Sequence, residues 1–103
     1  MSENQEFLAV TFHLRDTLCG VDTAVVQEVV RLGSVTPVRH AQEHILGVIN
    51  LRGRIVTIID LGRRIGLAPT SVTDAARVLI VTYLGEPVGV LVDRVSEIGR
   101  AHV

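Results

Sequence analysis

At 103 residues the chain has room for one small domain and not for two independent cores. Ten arginines and no lysine stand against eleven acids, a net charge of −1, which excludes a strongly basic nucleic-acid binder. Phe7, Phe12 and Tyr83 are the only aromatics, too few for a base-stacking platform. The lone Cys19 forms no internal disulfide, the start MSENQE is acidic where a signal peptide is basic, and no apolar run approaches the roughly 20 residues that span a bilayer. A cytoplasmic location, without membrane insertion, is the expectation.

Eighteen valines, eight isoleucines and eight threonines make a third of the chain β-branched, which favours half-buried strands. Residues 1–6 read as a disordered lead-in. From Phe7, Leu8, Val10, Phe12 and Leu14 alternate with Ala9, Thr11, His13 and Arg15, the period of a strand that ends at Asp16-Thr17. Cys19-Gly20-Val21 opens a second strand, Asp22 caps a short helical turn over Thr23–Val26, and Gln27 to Leu32 is extended. Gly33-Ser34 and Pro37 interrupt it. Gly47–Leu51 and Arg54–Asp60 form a hairpin across Arg52-Gly53, where glycine accepts positive φ. Asp60 caps a helical turn through Ile65 that Gly66 closes, and Ala68 to Asp74 is polar and turn-rich.

An internal echo follows. Under a shift of 69 residues, Val10 falls on Leu79, Phe12 on Val81, Leu14 on Tyr83, Gly20 on Gly89, Val21 on Val90, Val26 on Val95, Glu28 on Glu97 and Val29 on Ile98. Eight matches in order without a gap mark two copies of one β unit. The first copy continues into the Gly47–Asp60 hairpin, so the sequence reads as one and a half units.

Candidates for chemistry are few. His40-Ala41-Gln42-Glu43-His44 has the H-x-x-E-H spacing of certain zinc peptidases, which works only when a helix puts both histidines on one face. Pro37 and Gly47 bound that helix too closely, so a small zinc hydrolase built on His40, Glu43 and His44 is a remote alternative. No glycine-rich phosphate loop is present, and Cys19, the counterpart of Val88, reads as a small buried hydrophobe. What remains is surface. Arg52 stands at a hairpin tip held by Asn50 and Gly53, and Glu28 sits among valines, a pairing suited to docking an amphipathic helix or helical hairpin.

Val25–Val30, Thr36-Pro37-Val38 and the run from Gly47 to Leu61 resemble the CheW family, the adaptors that couple chemoreceptors to a histidine kinase in bacterial and archaeal chemotaxis. Val90 to Ile98 resembles the family's later strand, and N-L-R-G between G-V-I and I-V-x-I-I-D-L is the most specific match. The resemblance implies an all-β fold of two small SH3-like barrels, the second incomplete. A first unit would span 7–67, a linker 68–75 and a partial second unit 76–103. It implies no catalysis, no cofactor and no metal. Its implied partners are the cytoplasmic tip of a methyl-accepting chemoreceptor, in a groove between barrels, and the regulatory domain of a CheA-type kinase, through barrel contacts. Carried over by motif, the receptor-binding residues are Val26, Glu28, Gly47, Asn50 and Arg52, with Glu28 either a direct contact or the partner of Arg52.

Family members continue with a second hairpin segment, so unpaired strand edges and apolar surface are expected on the second barrel. A partner, strand exchange in a homodimer, or the remainder of a longer protein would cover them. Receptor contact is the firmer implication, and a receptor-only modulator that recruits no kinase is the alternative. A homologue of the Frz-type motility pathway would have this character.

Overall fold

A computed structural model of the chain describes residues 6–102; the disordered lead-in expected at 1–6 lies outside them but for Glu6, which opens the first strand. Eight strands follow, with two short helical turns: β1 (Glu6–Leu14), β2 (Thr17–Asp22), a 3-10 turn (Thr23–Val25), β3 (Val26–Val30), β4 (Ile45–Leu51), β5 (Arg54–Asp60), α1 (Leu61–Arg64), β6 (Arg77–Tyr83), β7 (Glu86–Val92) and β8 (Arg94–His102). The caps are those expected. Asp22 accepts the Ala24 N–H at 2.8 Å, and Asp60 accepts that of Arg63 at 3.3 Å.

The strands form two sheets, ordered β2-β1-β8 and β3-β6-β7-β5-β4. Neither closes into a complete barrel among the described residues. The internal echo governs the pairing. The β1–β2 hairpin pairs Leu14 with Thr17 and Ala9 with Asp22, and the β6–β7 hairpin pairs Tyr83 with Glu86 and Val78 with Leu91, the same register one repeat later. The third strand of each unit then crosses to the other unit. β3 pairs with β6 through Val26↔Val81 and Glu28↔Ile80, and β8 pairs with β1 through Val95↔Phe12 and Glu97↔Thr11. Both pairings shift register at the equivalent residue, which places matching bulges at Gln27 and Ser96.

This exchange explains why β6 carries an unbroken apolar run. Val78 and Ile80 pack with Ile49, Val56, Ile58, Ala76 and Leu91, inside the curl of the five-stranded sheet. Leu79, between them, points the other way onto Val10, Phe12, Leu14 and Val92. A strand covered on both faces needs apolar residues at successive positions, not alternate ones. All three are at most 2% exposed, and each such side chain contributes about 1.5–3 kcal/mol on burial.

The β4–β5 hairpin joins this sheet through a parallel pairing of β5 with β7, Thr57↔Val88 to Asp60↔Leu91. β2, the repeat counterpart of β7, has no such neighbour among the described residues and forms the edge of its sheet. Leu18 on that strand is 59% exposed.

A polar network ties the two sheets together. Arg15, in the β1–β2 turn, pairs with Asp93 at 2.7 Å, donates to Thr70 Oγ1 at 3.2 Å and reaches the Ala68 carbonyl. Thr70 in turn donates its hydroxyl and backbone N–H to the buried Asp60 carboxylate, at 2.7 and 2.8 Å. The stretch read as a linker is therefore anchored near its start, at Ala68 and Thr70.

Candidate functional site

Arg52 owes its position to a turn that costs something to make. Arg52 and Gly53 both have positive φ, 51° and 85°, as a two-residue hairpin of the I′ kind requires. Asn50 accepts the Gly53 N–H at 2.8 Å and braces the turn. Glycine takes such a conformation freely, whereas an arginine there costs about 1 kcal/mol. The guanidinium extends from this rigid tip and is ion-paired with Glu28 on β3. Its side chain remains 68% exposed and that of Glu28 31%.

The pair stands at the rim of a cavity of about 250 Å³ lined by Gln27, Glu28, Leu51, Arg52, Arg54, Val56, Ile80 and Pro87. Leu51, Val56 and Ile80 give it an aliphatic lining; the arginines, Glu28 and Gln27 give it a polar one. Gln27 also donates to Thr82 Oγ1 at 2.6 Å. Thr82 lines a second, more apolar cavity of about 290 Å³, together with Phe12, Val21, Val25, Leu61, Leu79, Val81, Tyr83 and Val90. This one lies between the two sheets. A charged pocket and an apolar groove thus meet across one hydrogen bond.

The five residues carried over by motif fall into three settings. Glu28 and Arg52 are in direct contact, and Asn50 supports them. Val26 packs against the core between the sheets, on the side of the second cavity, and does not line the first. Gly47 is buried, and its role is local: a Cβ there would lie 2.4 Å from the Thr36 carbonyl oxygen. Thr36 crosses β4 at that point, exchanging backbone hydrogen bonds with Val48 at 2.8 and 2.9 Å.

The sequence reading missed Gln27, Arg54, Ile80 and Pro87. Arg54 was within reach, because it shares strand parity with Val56 and Ile58 and so starts on the inner face of the sheet. Ile80 and Pro87 arrive through long-range pairings that no local pattern encodes.

The zinc-hydrolase alternative fails on its geometry. Residues 39–40 and 43–44 are two separate turns, with His40 at φ 62°, so no helix aligns His40 with His44. Glu43 instead pairs with Arg63 at 3.3 Å. No group of three or more His, Cys, Asp or Glu able to hold a metal occurs among the described residues. Nor is any helix there long and apolar enough to cross a membrane.

An all-β framework of two interleaved units, presenting a braced ion pair beside apolar hollows, defines the module. Comparison with known proteins specifies which module. The family model of the CheW-like domain matches residues 8–103. The chain is 34% identical over 89 residues to the chemotaxis protein CheW of Rhizobium meliloti, covering 86% of this chain and 57% of that one. It is 36% identical over 94 residues to the chemotaxis protein CheW of Klebsiella aerogenes, covering 91% and 55%. Its fold is similar to the crystal structure of the scaffolding protein TtCheW from Thermoanaerobacter tengcongensis, with a TM-score of 0.86 and 38% identity, covering 91% of this chain and 64% of that one. The chain belongs to the CheW-like domain family. It spans a little over half the length of these two relatives.

Proposed function

We propose that the protein is a non-catalytic adaptor of the cytoplasm that binds the helical tip of a chemoreceptor and couples it to a CheA-type histidine kinase. The Glu28–Arg52 pair, at the rim of one cavity and separated from the apolar groove by the Gln27–Thr82 hydrogen bond, carries the reading. An amphipathic helical hairpin needs an apolar trough for its buried face and a directional polar contact to fix its rotation. The groove between the sheets supplies the first, with Val26 behind it. Arg52 supplies the second, through a planar group that makes several charge-assisted hydrogen bonds at once. That a strained backbone position holds an arginine and not a glycine supports a role for its side chain.

The kinase contact is assigned to the other sheet. The free edge of β2 and the exposed Leu18 support strand-to-strand contact with a β-rich regulatory domain. A homodimer through this edge would pair β2 with its own copy. Exchange of the β4–β5 hairpin between copies gains nothing, since it would bare β7 in covering β2.

Size-exclusion chromatography with light scattering tests the proposal on the chain mixed with a receptor-tip fragment and the kinase regulatory domain. Co-elution of all three is expected. Co-elution with the receptor alone would make the protein a receptor-only modulator, and no co-elution would overturn the reading. Arg52→Ala is expected to weaken receptor binding by about 1–3 kcal/mol, measured by isothermal titration. Arg52→Gly should lose the same affinity while keeping the thermal midpoint at or above that of the parent, because glycine relieves the turn. Unchanged affinity in both variants would remove Arg52 from the site.

A further inference from the structure

The charges around the smaller cavity do not balance. Three charged side chains line it, Glu28, Arg52 and Arg54. Glu28 is committed to Arg52. Arg54 is exposed and makes no ion pair among the described residues, where the pairs are Arg15–Asp93, Arg52–Glu28 and Arg63–Glu43. Glu86, which precedes the lining residue Pro87, forms no ion pair with it among the described residues. One cation is therefore left over beside an aliphatic surface made by Leu51, Val56 and Ile80.

Its placement is specific. Arg54 opens β5 opposite Leu51 and shares the strand face of the buried Val56 and Ile58. A side chain of that parity starts toward the interior of the curled sheet, and at the strand's first residue it reaches the open end of the core. The guanidinium is thus carried by a rigid hairpin and not by a loop, and its aliphatic stem extends the apolar lining.

We propose that Arg54 is a second determinant of the docked partner, taking a carboxylate from the helical segment that occupies this cavity. This rests on the receptor-docking reading above and adds to it the chemistry of the occupant: an amphipathic helix with an acidic residue beside its apolar contact. Arg52, already neutralised by Glu28, orients the partner through hydrogen bonds, whereas Arg54 attracts it by charge. Such a rim charge acts mainly on the association rate and on its salt dependence.

Binding of the full chain to a receptor-tip fragment, followed by biolayer interferometry at low and at physiological salt, tests this. Arg54→Glu should weaken binding about tenfold or more and flatten the salt dependence, Arg54→Gln about threefold, while Arg54→Lys stays near the parent. Single acid-to-lysine changes along the tip fragment should include one that restores binding to the Arg54→Glu variant. Parent-like affinity of Arg54→Glu at both salt levels overturns the inference and leaves the docking reading intact. No binding by the parent chain overturns both. Because Arg54 is exposed, thermal melts of the variants should match the parent, and a loss of affinity in a melted variant is separated by the lysine form.

Discussion

Gly47→Ala should destabilise the protein by about 3 kcal/mol or more, a large fraction of the roughly 5–15 kcal/mol that holds a domain folded. Two costs add. The backbone sits at φ 149°, in a region that L side chains rarely enter, and the new Cβ would lie 2.4 Å from the Thr36 oxygen and 2.9 Å from its carbonyl carbon. Backbone cannot swing aside as a side chain can. Either the Thr36–Val48 bridge breaks or β4 shifts, and Ile49 is displaced from the core. Gly89 offers an internal comparison. Its Cβ would meet Ile58 Cδ1 at 2.4 Å and Val78 Cγ1 at 2.8 Å, but both are side-chain ends able to give, so Gly89→Ala should cost less, about 1–3 kcal/mol. Gly53 has positive φ and open space, and Gly53→Ala should cost about 1 kcal/mol. Urea denaturation would rank the three by midpoint at constant slope. A Gly47→Ala midpoint equal to that of Gly53→Ala would show that Thr36 does not press on β4.

That ranking bears on function, because Gly47 was carried into the binding site by motif. Its burial under Thr36 means that a binding defect on its replacement reports the position of the hairpin. A contact residue loses affinity with its stability intact, as expected of Arg52. Gly47 should lose both together.

Much of the fold was readable in the residues. Period-two alternation found β1, the Arg52-Gly53 turn fixed the β4–β5 hairpin, and the two aspartates marked their caps. The 69-residue echo marked two copies of one β unit, and the β1–β2 and β6–β7 hairpins do share one register. What it did not reveal was that β3 and β8 change places. A strand carries the same alternation whether it pairs within its own repeat or with the other copy, so the choice is made by packing. Leu79 is where that choice shows, buried opposite Val78 and Ile80 in a sequence run that also suits a strand of either sheet.

The site was half readable for the same reason. Glu28 and Arg52 were each found by residue type, and their contact was one of two alternatives left open. Ile80 and Pro87 enter the cavity because β6 pairs with β3 and β7 runs parallel to β5, pairings of distant segments. The histidine spacing misled in the opposite direction, since i and i+4 are neighbours on a helix alone. A left-handed residue at His40 and the turn at Glu43-His44 remove that meaning.

Asp60→Ala should cost about 3 kcal/mol, the second large effect on stability. The carboxylate is 3% exposed and accepts three hydrogen bonds, from the Thr70 hydroxyl, the Thr70 N–H and the Arg63 N–H. Removing it leaves donors without partners in a dry site and frees the first turn of α1. Asp60→Asn keeps the shape but turns one oxygen into a donor facing another donor, so about 1–2 kcal/mol is expected. The effect should spread beyond β5. Thr70 also accepts from Arg15, which sits in a turn of the three-stranded sheet and holds Asp93, the residue between β7 and β8. The room for that guanidinium comes from Gly62, whose Cβ would stand 3.1 Å from Arg15 Nη2. Loosening Thr70 therefore loosens the angle between the sheets, which frame the apolar groove. Receptor binding by the still-folded fraction of Asp60→Ala should fall although Asp60 lines neither cavity, and Thr70→Val should fall short of additive with it in both stability and affinity. A variant within about 0.5 kcal/mol of the parent, with parent-like binding, would show that the network neither holds the fold nor sets the groove.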